Sequence, residues 1–517
     1  MKHPLFFLFA LTFVAFSTFA EPLSEKETDI LKKRLVPLPN QVVFNEGPEV
    51  VLDGTLTVNV ELSENDDNAK KLVAASFERQ FGSKPNIVVT KKDDVPKDAE
   101  AYRIRATGKT VTLSASDLRG IRHALATLRQ LAEPNRGTAR TVDYRIPETE
   151  INDAPAMPFR GVLVVWYNET PTVKIEQILR LAAYYKFNHL VLEFRGNYPY
   201  REHPELRWAE FNIEPENVKR LVALGKELGI TLVPLFPLFG HASGAREIAG
   251  KHVVLDIRPE YWSLFEPDGL CWCLSNPETR KTLTDIVLEL HELFESPPYF
   301  HIGCDEAYSP ADCRDCRRAD YKALLKDHLL YFHQLLAERH CRVMMWHDML
   351  VAKGDARWQG YVAVGNEHSE GLIDHLPKDI MICDWQYGAP KADEQCPTMR
   401  FFKEQGFSVL ACPWNNMPGM RSLAQTVPQA GADGMLCTTW YETSGAAMIY
   451  IFSTAAQTTW RAGEAPEVDR KVMRHVFNMH LRQVGWDIPI KRYIDAGHVN
   501  WDIAPETFYR ESLPRDY

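Results

Sequence analysis

Eight short apolar runs bounded by polar residues recur along the second part of the chain: 162–167, 189–194, 231–236, 299–303, 342–346, 380–385, 408–413 and 435–440. Helical patterns lie between most of them, as at 173–185, 216–228, 280–294 and 321–338. Strands that are apolar throughout are buried on both faces, and their alternation with helices predicts a parallel sheet covered on its outside. Eight such units within residues 151–465 predict an α/β fold of the closed (β/α)8 type, a TIM barrel, because a doubly wound sheet usually has fewer strands. In a barrel of that kind the working site lies at the C-terminal ends of the strands.

Upstream the pattern changes. Between about residues 35 and 147, β-rich runs at 50–60 and 101–116 alternate with helical stretches near 69–81 and 118–131. In the second stretch Ile121, Leu125, Leu128 and Leu131 recur at helical spacing. This segment clusters no acids, histidines or aromatic residues, so residues 21–150 read as a small α+β accessory domain preceding the barrel, with its boundary in the Pro-containing stretch 147–158. After the barrel, residues 466–517 hold an amphipathic helix near 468–484 and a tail, both expected to pack on the barrel.

The first twenty residues change the picture of where the protein works. Lys2 and His3, an apolar stretch over 5–16 and Thr18-Phe-Ala20 before Glu21 form the pattern of a secretory signal peptide. That stretch is shorter than the roughly 20 residues a bilayer span needs, and no later run is long enough. An exported, soluble protein is therefore expected, in a periplasm, a lysosome-like compartment or the medium. A formal net charge of −10 argues against nucleic acid or an anionic membrane surface as the main partner.

Export also bears on the ten cysteines, because an oxidising compartment permits disulfides. Five of them (Cys271, Cys273, Cys304, Cys313, Cys316) are clustered, and Cys341, Cys383, Cys396, Cys412 and Cys437 are spread over the C-terminal half. Cys313-Arg-Asp-Cys316 has the form of a redox pair or half a zinc site. Cys271-Trp-Cys273 lacks the spacing to be the other half. Loop-bracing disulfides, or plain buried thiols at Cys341, Cys383, Cys412 and Cys437, are expected, with no metal and no cofactor.

Candidate chemistry concentrates at the strand ends. His301-Ile-Gly-Cys-Asp305-Glu306 places two adjacent carboxylates where a buried strand breaks into a loop. Side-by-side acids repel, so one proton is held more tightly than normal, which suits a general acid beside a charged stabiliser. The other ends carry Trp166-Tyr167, Glu193, His241, Trp346-His347-Asp348, Asp384-Trp385, Trp414-Asn415 and Trp440-Tyr441-Glu442. Taken singly, these are core tryptophans, satisfied histidines and solvated carboxylates. Tryptophans at successive ends form the kind of wall that stacks on the apolar face of a sugar ring, while carboxylates and amides bind its hydroxyls.

On these residues the chain resembles glycoside hydrolase family 20, the β-N-acetylhexosaminidases, and its hexosaminidase D-like branch, over roughly residues 35–460. The signature of that family is His-x-Gly-Gly-Asp-Glu, matched by His301 to Glu306 with Cys304 in place of the second glycine. The resemblance implies a catalytic pair of Glu306 as general acid/base and Asp305 as its partner, supported by His301 and His241. It further implies Arg160 and Glu442 as groups that bind ring hydroxyls, and Trp346, Trp385 and Trp440 as aromatic walls; Glu193, where the family more often has Asp, and Trp414 join them as substrate-binding candidates. The implied substrate is a small glycan or glycoconjugate ending in β-linked N-acetylglucosamine or N-acetylgalactosamine. It would be cut from the end with retention, using the sugar's own acetamide as nucleophile and no metal or organic cofactor. Two neighbouring acids on one strand end cannot easily flank a ring on opposite faces, which fits that route. The family tyrosine that holds the acetamide has no counterpart in Cys412-Pro-Trp-Asn-Asn-Met, which leaves Tyr387 and Tyr441 as candidates. Two alternatives are a non-catalytic carbohydrate-binding barrel, with Cys304 spoiling the chemistry, and a metal or redox centre built from the Cys271–Cys316 cluster.

Overall fold

The apolar runs owe their burial on both faces to barrel closure. They form eight parallel strands: β1 (Phe159–Trp166), β2 (His189–Phe194), β3 (Thr231–Leu235), β4 (Tyr299–His301), β5 (Arg342–Trp346), β6 (Met381–Trp385), β7 (Ser408–Cys412) and β8 (Gly434–Thr438). Closure runs through β1 and β8, with Arg160 opposite Met435 and Val162 opposite Cys437. The period of two then splits each strand. In β1, Phe159, Leu163 and Val165 join Val191, Val233, Met344, Met381, Leu410 and Leu436 in the core inside the barrel, whereas Val162 and Val164 pack outward.

The computed structural model describes residues 23–135, 143–167, 170–207, 213–243, 258–388, 396–440 and 445–495. The signal-like residues 1–20, Tyr441, Glu442 and the tail from residue 496 lie outside the described residues. Helices α1 (Thr172–Tyr184), α2 (Pro215–Leu228), α3 (Pro277–Leu293), α4 (Tyr321–Ala337), α5 (Pro397–Glu404), α6 (Met417–Ala430) and α7 (Gly445–Arg461) cover the outside. Their ends follow local rules. Asn276 caps α3 by accepting the Glu278 N–H, with proline at the first turn, and Gly229 ends α2 in the left-handed region. Between β5 and β6 the connection is a set of short 3-10 turns, among them Asp348–Leu350 and Ala356–Trp358. Helix α8 (Arg470–Gly485) lays Met473, Val476 and Phe477 on the barrel's outer core, and its His480 meets the Tyr185 hydroxyl at 3.1 Å.

The upstream segment forms a six-stranded sheet in the spatial order Gln41–Phe44, Thr149–Asp153, Tyr102–Thr107, Thr110–Ala115, Thr57–Leu62, Asn86–Lys91. Helices Asp67–Phe81 and Leu118–Leu131 cover it with Val73, Phe77, Ile121, Leu125 and Leu128. The sheet meets the N-terminal end of the barrel through buried charge. Asp153 accepts from Lys186 Nζ (2.9 Å), Tyr102 Oη (2.6 Å) and Trp460 Nε1 (2.8 Å). Glu100 pairs with Arg160, and its Oε2 lies 3.1 Å from His123 Nε2.

All ten cysteines are free thiols. The buried-thiol expectation holds for Cys341, Cys383, Cys412 and Cys437, and the disulfide alternative is not realised. Among the described residues no helix is long and apolar enough to cross a membrane.

Candidate active site

Strand β4 ends at His301, and the turn after it is built from backbone that side chains rarely adopt. Gly303 (φ 66°), Cys304 (φ 73°) and Glu306 (φ 47°) all lie in the left-handed region. Strain of this kind persists only where neighbours over-determine it. One restraint is the Glu306 N–H, which donates to Asp348 Oδ2 at 2.9 Å from the end of β5. Another is the loop after β3. A Cβ at Gly240 would stand 1.9 Å from the Asp305 carbonyl oxygen, so only glycine lets the two loops approach this closely.

That approach delivers His241. Its Nε2 lies 2.9 Å from Glu306 Oε2 and 3.4 Å from Asp305 Oδ2, so one imidazole bridges the acid pair. The Tyr308 hydroxyl donates to the other Glu306 oxygen at 2.6 Å. The two acids differ in access. The Glu306 side chain is 29% exposed and the Asp305 side chain 8%. Asp305 Oδ1 is buried and has no hydrogen-bond donor, an acceptor aimed at something that brings an N–H or O–H.

Asp348 is the third carboxylate. It is fully buried and also accepts the indole N–H of Trp385 at 3.0 Å. Burial and the neighbouring Asp305 push its carboxyl up to about 6. His347, beside it, accepts the Trp385 backbone N–H at 3.3 Å and faces Asp384 at 3.3 Å, so it braces the β5 and β6 ends.

Aromatic rings line the neighbouring strand ends. Trp385 and Tyr387 have centroids 4.9 Å apart, Tyr387 and Trp414 5.3 Å, and Trp346 and Trp440 5.9 Å. The Trp440 indole N–H donates to the Tyr387 hydroxyl at 2.8 Å, tying the wall together. Trp346 is fully buried against His301, centroids 4.4 Å apart, so it backs Trp440 and offers no face of its own. Trp385, Trp414 and Trp440 are the half-exposed members.

The remaining expectations divide. His301 sits under the acid turn, where its Nδ1 accepts the Gly303 N–H at 3.1 Å. Glu193 is buried at the end of β2 and pairs with Arg195 at 3.0 Å, whose guanidinium lies 5.7 Å from the Tyr167 ring centre. Glu442 falls outside the described residues. Arg160 is a correction. It stands second in β1, about 20 Å of strand below the functional end. Its guanidinium is spent there on Glu100 and on the carbonyls of Lys186 and Met157, both at 2.9 Å. Asp348, which the sequence offers only as one of several strand-end residues, gains its place beside the acid pair from the structure, and Tyr308 and Arg195 join the site with no counterpart in the sequence reading. Each follows a strand that ends in aromatic or acidic residues, which was the available signal.

The assembled group can protonate an atom at Glu306, hold a polar hydrogen at Asp305 and stack a flat apolar face on Trp385, Trp414 and Trp440. The chain is similar to known proteins in both sequence and fold. Residues 32–154 match the family model "Glycosyl hydrolase family 20, domain 2", and residues 171–417 match "Glycosyl hydrolase family 20, catalytic domain". A beta-hexosaminidase of Akkermansia muciniphila is 27% identical over 261 residues, covering 44% of this chain and 50% of that protein. One of Vibrio furnissii is 24% identical over 321 residues, covering 56% of this chain and 51% of that protein. The chain thus spans about half the length of the relatives it matches in sequence. The exo β-N-acetylglucosaminidase of Vibrio harveyi, solved with N-acetylglucosamine, shares the fold with a TM-score of 0.66 at 16% identity, over 88% of this chain and 78% of that one.

Proposed function

The chain belongs to glycoside hydrolase family 20, and from that premise we propose that it is an exported, exo-acting β-N-acetylhexosaminidase working by substrate-assisted retention. The observation that carries this reading is the pair itself: Glu306 held by His241 and Tyr308, beside an Asp305 oxygen that is buried and lacks a donor. In the first step the substrate's acetamide oxygen attacks the anomeric carbon while Glu306 gives its proton to the leaving oxygen. Asp305 accepts the acetamide N–H, orients the group and stabilises the positive oxazolinium-like intermediate. Water deprotonated by Glu306 then opens that intermediate with net retention.

Tyr387 takes the part of the missing acetamide tyrosine. Its hydroxyl is held at the wall by the Trp440 indole N–H, beside the half-exposed tryptophans, where it can reach the acetamide oxygen. Arg195, paired with Glu193 at the end of β2, takes the hydroxyl-binding part that Arg160 cannot. The positive φ of Cys304 accounts for the family's glycine there, and its Sγ donates to the Ile302 carbonyl at 3.4 Å. A substrate ending in N-acetylglucosamine or N-acetylgalactosamine, and export through residues 1–20, complete the proposal.

The test is release of 4-nitrophenol from the β-N-acetylglucosaminide, the β-N-acetylgalactosaminide and the β-glucoside. Hydrolysis of the first two alone, with Glu306→Gln about 10²–10⁴-fold slower, is the expected outcome. Comparable glucoside cleavage would remove the acetamide from the mechanism. Folded protein that binds N-acetylglucosamine calorimetrically but hydrolyses none of the three would be a lectin-like barrel instead.

A further inference from the structure

The loops after β3 and β4 meet in a cluster that the acid-pair chemistry does not use. Cys273 Sγ lies 3.7 Å from Cys313 Sγ and 3.7 Å from Cys316 Sγ. Glu266 completes the group: one ligand atom from each of these four residues lies within 4.8 Å of all the others. Its Oε2 accepts the Cys313 N–H at 2.5 Å, and its Oε1 is buried with no hydrogen-bond partner. The Cys316 N–H points at Cys313 Sγ at 3.3 Å, so the Cys-x-x-Cys turn folds around its own first sulfur. The Ser275 hydroxyl stands 3.1 Å from Cys316 Sγ and 3.3 Å from Cys273 Sγ.

Distances and donor chemistry together select one occupant. Sulfurs in a disulfide are about 2.05 Å apart. Sulfurs bound to one tetrahedral zinc at about 2.3 Å each are about 3.8 Å apart. Packed neutral thiols could approach as closely, and the Cys316 thiol can donate to Glu266, but that leaves a buried acid packed against three sulfurs, a costly arrangement. A cation at their centre would balance it. Three thiolates and one carboxylate favour zinc over the oxygen-seeking calcium or magnesium.

We propose that Glu266, Cys273, Cys313 and Cys316 hold one zinc ion in a closed, structural tetrahedral site. Binding takes the proton from each of three thiols into solvent, and Glu266 enters as the carboxylate. The Ser275 hydroxyl and the Cys316 N–H hydrogen-bond the bound sulfurs. The ligand set has no simple sequence signature, because one Cys-x-x-Cys pair is joined by a single cysteine and an acid from another loop. This zinc would be a staple for the active-site loops. Residues 242 and 243, next to His241, bond to the backbone of Leu270 and Gly269 (3.0 and 2.8 Å), and Ser309, next to Tyr308, bonds to Asp268. The zinc therefore locks together the segments that deliver His241 and Glu306.

The test needs no assumption about the reaction. Protein prepared under reducing conditions, without chelator or added metal, is measured for total metal by mass spectrometry. Its thiols are then titrated with p-hydroxymercuribenzoate while a pyridylazoresorcinol dye reports released zinc. One zinc per chain, set free as the thiols are modified, is the expected result. Replacing it with cobalt should give the intense thiolate-to-metal absorption of a tetrahedral site. Cys316→Ser should lose the zinc, and Cys341→Ser, outside the cluster, should keep it. Should Cys316→Ser fail to fold, the wild-type titration and cobalt spectrum decide alone. Reduced wild-type protein that holds no zinc and takes up none would overturn the proposal. Full retention of zinc by folded Cys316→Ser would do the same, as would a disulfide within the cluster in peptide maps of freshly prepared protein.

Discussion

Asp348 is where residue-scale electrostatics make a prediction. Its carboxyl is raised to about 6 by burial and by Asp305, so the native state holds this proton more tightly than the unfolded chain does. Its contribution to stability is complete below the ordinary carboxyl range and is lost as pH rises toward 6. Asp348→Asn does not titrate. Relative to wild type it should therefore gain up to about 3 kcal/mol between pH 4 and pH 7, read from urea midpoints across pH. The same ionisation should appear near pH 6 in wild-type kcat/KM, because the ionised form accepts both the Glu306 N–H and the Trp385 indole. A wild-type profile identical to that of Asp348→Asn would separate Asp348 from the acid pair. Residues of this kind resist reading from sequence. Asp305 and Glu306 are neighbours in the chain and carry a motif, whereas Asp348 reaches them only because β4 and β5 are adjacent strands. Tyr387 stayed one of two candidates for a similar reason: its pairing with Trp440 joins residues 53 positions apart.

At the scale of elements, the barrel was legible because all-apolar strands leave few alternatives. The runs chosen from sequence coincide with β1–β8 to within a few residues at each end. Less legible were the loops, where a close approach depends on a missing side chain. Gly240→Ala should push the His241 loop off the Asp305 carbonyl, since its Cβ would stand 1.9 Å away. Displacement of about 1 Å at a reacting group costs about 100-fold in rate, so kcat should fall by that order while the fold persists. Unaltered turnover would mean that the bridging imidazole is dispensable. Cys304→Gly acts the opposite way. Glycine is at ease at φ 73°, so the variant should stay active and lose no more than about 1 kcal/mol of stability, by thermal melting. Collapse of activity there would give the thiol a role of its own.

For the whole molecule, the instructive position is Arg160. A family resemblance assigned it to substrate, and strand direction placed it at the opposite end, buried against Glu100. Removing one partner of a buried ion pair costs about 3–5 kcal/mol, so Arg160→Met should lower the denaturation midpoint sharply while the folded fraction keeps its KM. A selective rise in KM would return Arg160 to the substrate. Such long-range pairing has no sequence signature, because Glu100 and Arg160 belong to separately patterned segments.

The charged seam between sheet and barrel has a further consequence. Lys186 and Arg160 rise from the barrel, but the acids that neutralise them, Asp153 and Glu100, come from the smaller unit. A barrel excised at residue 155 would face solvent with two unanswered cations where a neutral, closed joint had been. The catalytic half therefore cannot be transplanted or trimmed by protein engineering as a free-standing module. In any exchange of parts between relatives, the two units have to travel as one heritable block.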